Sequence, residues 1–185
     1  MITRSIAVLL LAAATAAPSA ATPTTAPAGG ANQRNAVNGC MNEWLFNGVW
    51  RLRVTSVAPY EVSGQPGYAV AVEVRNGTSK TIELGNTGVA GRGQGVQLVT
   101  SSGDALTLDD VDYQHLGYTD VIQGGHAARK LLFHFPPGTQ DAASQKPAKF
   151  IMLVDKAAAR SDGHVRYTIA DPSFRVNLTC TKGGA

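Results

Sequence analysis

Apolar side chains fall at every second position through most of the chain beyond Cys40, and no stretch sustains a helical apolar period. Trp50, Leu52 and Val54 alternate with Arg51, Arg53 and Thr55, and Tyr68, Val70, Val72 and Val74 alternate with Ala69, Ala71, Glu73 and Arg75. A period of two puts one residue type on each side of a pleated strand, so each segment has one face to hide. The spacing recurs at Val96 and Leu98, at Leu106 and Leu108, at Leu131, Phe133 and Phe135, and at Phe150, Met152 and Val154. Val165, Tyr167 and Ile169, then Phe174, Val176 and Leu178, predict the last two strands. Asn76-Gly77 predicts a tight turn into Ile82 and Leu84, and Asn47-Gly48 predicts a hairpin turn between Leu45 and Val49.

Eight or nine such strands must cover their apolar faces with one another, and two packed antiparallel sheets do so most simply. A closed barrel is the alternative. Parallel α/β architecture is excluded, because no crossover helices are present to cover a second sheet face. Helix is expected only as single turns at 141–145 and 155–160. The shared core should contain Trp50, Leu52, Val54, Val70, Val72, Phe133, Phe135, Met152, Val154, Tyr167 and Val176. Trp44 and Phe46 read as a cover for the open end of the sandwich, with a ring-stacking ligand platform as the alternative.

The first 39 residues obey no such period. One basic residue, Arg4, precedes the apolar run Ile6 to Leu11 and an alanine-rich stretch, which together read as a secretory signal peptide over 1–21, cut after Ala21. The apolar stretch is too short to span a bilayer comfortably, so no membrane span is expected after cleavage. Residues 22–39, rich in Thr, Pro, Ala and Gly, cannot bury a face and read as a flexible spacer before a domain at 40–185. The expected location is secreted or periplasmic. Cys40 and Cys180 are the only cysteines and bracket the strands, so in an oxidising compartment they are expected to form one disulfide closing the domain.

Charge and motif content narrow the chemistry. A formal net charge of +3 with 16% charged residues does not suggest a nucleic-acid binder. Arg51, Arg53 and Arg75 can share a solvated face, where Glu73 makes the strip mixed in sign. No GxSxG, SxxK or HExxH motif occurs, and Gly91-Arg92-Gly93-Gln94-Gly95 lacks the GK[ST] ending of a phosphate loop. His134 lies between Phe133 and Phe135 and therefore points away from the core. Asn76-Gly77-Thr78 and Asn177-Leu178-Thr179 match the glycosylation triplet and carry no functional weight here.

The one acidic cluster is Asp109, Asp110 and Asp112, with Asp120 nearby; alternating carboxylates of this kind can gather calcium or another hard cation. The complete twelve-residue calcium loop is absent, and a solvated connection between strands is the simpler reading of the cluster. The stretch from Asp109 to Gly125, about 17 residues without a clear period, is expected to be a long loop. Asp110, Asp112, Tyr113, His115 and Tyr118 are its candidate binding residues, since tyrosines give contact area and carboxylates favour a basic partner.

In the order of its segments the chain resembles the secreted immunoglobulin-like domains related to the mycobacterial immunoprotective extracellular protein. The resemblance rests on the leader and low-charge spacer, Val49-Trp50-Arg51-Leu52-Arg53-Val54, and Tyr68 to Arg75 with Asn76-Gly77-Thr78. It continues through Ile122-Gln123-Gly124-Gly125, Leu131-Leu132-Phe133-His134-Phe135-Pro136-Pro137 and Lys149 to Val154, covering roughly residues 48–155. It implies an immunoglobulin-like antiparallel β-sandwich outside the cytoplasm, and supplies no catalytic residues.

The expected function is a secreted, non-catalytic interaction module needing no cofactor. Its partner would be an extracellular or envelope protein, a wall polymer or a second copy of the chain. The alternatives are calcium or small-ligand binding through 109–120, and an extracytoplasmic enzyme or protease inhibitor with a loop-borne site.

Overall fold

Alternation is realised as nine strands among the described residues: β1 (Val37–Met41), β2 (Leu45–Phe46), β3 (Trp50–Val62), β4 (Gln65–Asn76), β5 (Val96–Thr100), β6 (Ala105–Leu108), β7 (His126–His134), β8 (Pro147–Met152) and β9 (Phe174–Thr181). Two short helices accompany them, α1 (Asp110–Gly117) and α2 (Lys156–Ser161). The structure is a computed structural model that describes residues 37–62, 64–89, 94–139, 141–161 and 164–182. The expected signal peptide, spacer residues 22–36 and Gly91-Arg92-Gly93 lie outside the described residues.

The strands run in the order β1-β9-β8-β5-β6-β7-β4-β3-β2. This is one ribbon folded over on itself, and β6 makes the fold. Its first half pairs with β5, through Leu106↔Leu98 and Ala105↔Val99, and its second half pairs with β7, through Thr107↔His134 and Leu108↔Phe133. A strand that changes sheets in this way turns a corner, so the all-β sandwich is barrel-like along that side. Every residue expected in the core is buried there except Val154, which is half-buried and packs against the cluster.

The long β3–β4 hairpin keeps its apolar face inward by means of a bulge. Val54 pairs with Val72, but Ser56 pairs with Ala71, which leaves Thr55 as the extra residue. Its hydroxyl donates to the Ala71 carbonyl at 3.3 Å. The bulge explains why Val57 and Val54, of opposite parity, both meet the core.

The first strand corrects two expectations. β1 begins at Val37, so 37–39 belong to the domain rather than to the spacer, and β1 pairs with β9 in parallel, so the sandwich is not wholly antiparallel. Gly39, which reads as spacer composition, is required by close approach: a Cβ there would lie 2.4 Å from Leu45 Cδ2. Cys40 and Cys180 are disulfide-bonded with Cα atoms 5.2 Å apart, across that parallel pair. Glu43 fastens the same corner, accepting from the Cys40 amide at 3.0 Å and from Lys182 Nζ at 2.7 Å. The Lys182 bond and the Cys40 amide hold its carboxyl below the usual range.

Two further expectations change. Asn76-Gly77 does not return the chain into a paired strand; Ile82 makes only an isolated bridge with Val121. Asn76 is instead buried, its Nδ2 donating to the carbonyls of Lys80 at 2.6 Å and Val121 at 2.7 Å. Val165 and Tyr167 alternate in burial as expected, yet 165–169 joins no ladder. The Tyr167 hydroxyl donates to the Thr87 carbonyl at 2.9 Å and the Val165 amide to the Ala159 carbonyl at 3.2 Å, so single bonds rather than a ladder hold this stretch.

Replacing Cys40 and Cys180 together by alanine should lower the thermal midpoint by roughly 5–15 °C, from about 2–4 kcal/mol of lost stabilisation. Far-ultraviolet circular dichroism should still report strand, because the apolar core remains.

Burial pushes the Tyr167 hydroxyl up to about 12. The folded state therefore holds this proton more tightly than the unfolded chain does. The resulting stabilisation is intact below about pH 10 and is lost as pH rises through about 12. The difference between the alkaline absorbance titrations of the wild type and Tyr167→Phe should be one phenol that ionises well above the ordinary tyrosine range.

Candidate functional site

The segment expected to be a long binding loop is largely structured. Residues 110–117 form α1, and Asp109 caps it, its carboxylate accepting from the Val111 amide at 3.0 Å. Tyr113 and Leu116, three residues apart, are fully buried and anchor the helix. Tyr113, expected to offer contact area to a partner, is thus a core residue. The rest of the segment is pinned: Val121 bridges Ile82, the Gly124 amide donates to the Asn76 carbonyl, and the Asn76 amide donates to the Gly125 carbonyl.

The remaining candidates disperse around α1. His115, Tyr118 and Asp120 are exposed, and Asp112 is half-buried, its carboxyl raised by burial and by the Asp109 charge. The side chain of Asp110 lies outside the described residues. Among the described residues, no three His, Cys, Asp or Glu side chains stand close enough together to hold a metal ion.

The outward side of β2, β3, β4 and β7 gathers chemistry that the sequence spreads over some eighty positions. Register places Phe46, Arg51, Arg75 and His126 in one row across four strands. In the adjacent row Arg53 faces Glu73, with Trp44, the residue before β2, next to it. The Arg51 guanidinium lies 4.5 Å from the Phe46 ring centroid, and those of Arg53 and Arg75 lie 4.6 and 4.4 Å from the Trp44 centroid. Contacts of this kind are worth about 0.5–1 kcal/mol at exposed sites, and they hold otherwise mobile guanidinium groups in place. Trp44 and Phe46 therefore cover the outer face of the sheet, where the expectation had them capping its open end.

The charges on this face are not balanced. Arg53 bonds Glu73 at 2.8 Å, and its Nε is buried without a hydrogen-bond partner. Arg51 and Arg75 stand directly opposite one another, an arrangement that normally destabilises a strand pair. Neither forms an ion pair among the described residues. Lys130 projects from the same side of β7, and Glu73 is the sole carboxylate at described outward positions of β3, β4 and β7. The sequence showed the three arginines. It did not show that two of them face each other, because that depends on the β3–β4 register.

Two open clefts flank α2, one of about 510 Å³ lined by Arg160, His164, Val165 and Arg166, the other of about 520 Å³ beside Asp155 and Asp171. Asp171 is occupied by Arg175 at 2.9 Å and by the Ser173 amide at 3.0 Å. No helix among the described residues is long and apolar enough to cross a membrane.

No family model matches the chain. No curated protein matches it either. Among solved structures it is similar to the yjhA protein from Bacillus subtilis, at 12% identity over 76% of this chain and 99% of that one, with a TM-score of 0.47. It is likewise similar to an uncharacterized beta-sandwich protein from Clostridium difficile 630, at 7% identity over 83% of this chain and 99% of that one, with a TM-score of 0.47.

Tyr113 and Tyr118 should separate packing from surface. Tyr113→Ala should destabilise the fold by about 3–5 kcal/mol through lost burial and a cavity. Tyr118→Ala, at a side chain 53% exposed, should change stability by no more than about 0.5 kcal/mol. Equilibrium denaturant unfolding of both variants checks this.

Proposed function

We propose that the protein is a secreted, non-catalytic binding module. The observation that carries this reading is the outward face of β2, β3 and β4, where Arg51 and Arg75 stand opposed, stacked on Phe46 and Trp44 and without an acidic partner among the described residues. Trp and Arg dominate the energetics of binding surfaces, and aromatic stacking prepares the guanidinium groups at little entropic cost. Like charges held face to face weaken a sheet unless something outside it neutralises them. The apolar leader at 6–17 and the Cys40–Cys180 bond both suit an oxidising, extracytoplasmic setting.

Sedimentation with washed envelope material from the producing cell tests the reading. The full chain should be retained saturably, and Arg51→Glu with Arg75→Glu should cut retention at least about tenfold at unchanged thermal midpoint. Retention that never saturates, or equal retention of both proteins, would overturn it.

A further inference from the structure

We infer that the arginine–aromatic face binds an acidic polysaccharide, one carrying carboxylates on successive sugar rings; this rests on the binding-module reading. Geometry supplies the first argument. Opposed strand positions lie about 5 Å apart, and same-face positions along a strand about 7 Å apart. Arg51 and Arg75 therefore present two guanidinium groups without an ion-pair partner among the described residues, within the span of a few sugar units and beside the Arg53–Glu73 pair. One isolated anion would satisfy one fork and leave the opposed Arg51–Arg75 charge largely uncompensated. A chain of regularly spaced anions can meet both.

Charge complementarity is the second argument. Arg51, Arg53, Arg75 and Lys130 project from this side against Glu73 alone, so the face carries about as much positive charge as the formal +3 of the whole sequence. Guanidinium forks match carboxylate oxygens in pairs, and the faces of Arg51 and Arg75 are already occupied by Phe46 and Trp44, which leaves their N–H edges for an anion.

The aromatic and edge geometry favours sugar over peptide or membrane. Phe46 is 43% exposed and offers ring surface to the apolar side of a pyranose. A peptide adding as a strand needs a free sheet edge, but these side chains stand on the face, and the adjacent edge strand, β2, is two residues long. Laid flat on the face, an extended peptide would leave its amide groups without backbone partners, whereas sugar hydroxyls and carboxylates both accept from guanidinium. A bilayer would gain little insertion from one half-exposed phenylalanine.

The test is a binding titration of the full chain with polygalacturonate, with dextran, polyglutamate and phosphatidylglycerol-containing vesicles as comparison probes. Polygalacturonate should bind saturably, and raising salt from about 50 to 200 mM should weaken it roughly tenfold, as about two counterions released by Arg51 and Arg75 require. Arg51→Gln with Arg75→Gln should weaken binding at least about tenfold, and Phe46→Ala severalfold. Lys146→Gln with Lys149→Gln removes the same charge elsewhere and should leave binding intact. Equal or tighter binding of polyglutamate or vesicles, binding of dextran, or equal loss in the lysine control would overturn the inference. Retention on envelope material without polygalacturonate binding would defeat the polysaccharide alone and leave the module reading standing; loss of both would defeat both.

Discussion

Apart from β1, the described strands each have an apolar face, and the ribbon has to bring those faces into a single interior. The change of partner along β6 is what makes this possible. Ala105 and Leu106 continue the sheet toward β5, while Thr107 and Leu108 continue it toward β7, so the ribbon folds over within four residues. Phe133 and Phe150, from strands on opposite sides of that corner, then meet edge to face with centroids 6.4 Å apart. The opposite side is closed by other means: β1 adds to β9, the disulfide links the pair, and the Asn42 amide reaches across to the Val54 carbonyl at 2.9 Å. Without that second closure the long hairpin would have one edge of its core open to water.

Polar groups inside such an interior must satisfy one another, since an unmet buried donor or acceptor costs about 1–3 kcal/mol. Asn47 is fully buried, and its side-chain oxygen accepts from the amides of Val49 and Trp50 while its Nδ2 donates to the Pro172 carbonyl at 2.9 Å. Trp50 Nε1 donates to Thr87 Oγ1 at 2.7 Å, and that hydroxyl donates onward to the Leu84 carbonyl. The network reaches the outer face as well. The Asn47 turn sets β2 against β3, which brings Phe46 opposite Arg51. Gly77 leaves room for that ring, because a Cβ there would lie 2.7 Å from Phe46 Cε2. The stacked arginines thus depend on an asparagine buried on the other side of the sheet.

The alternation was legible because burial on one face imposes it, and Trp50 to Val54 or Tyr68 to Val74 could hardly be read otherwise. The parity change between Val54 and Val57 was also a visible signal, since only a bulge lets both face inward. α1 was harder. Its buried stripe is Tyr113 and Leu116 alone, and the carboxylates that suggested a cation loop include Asp109, which is its cap. An acidic residue just ahead of apolar positions three apart was a helix-start signal hidden within an acidic cluster. β1 had almost none: among Val37, Asn38 and Gly39 one residue is apolar, and the strand is held by its partner and the disulfide rather than by its own pattern.

The candidate site was harder to read for a reason that follows from the fold. Arg51 and Arg75 lie 24 positions apart, and either could equally have faced an acid. Their opposition is fixed by where the β3–β4 hairpin turns and by the bulge at Thr55, both placed to keep valines inward. A one-residue slip would move the arginines into the core, so the demand for inward valines over-determines the unfavourable pair. Neutralising that pair would have been simple, as Glu73 already does for Arg53 one row away at 2.8 Å. A rigid sheet can therefore hold in place a charge arrangement that a loop would relax, and an anion docking there finds the guanidinium groups already assembled.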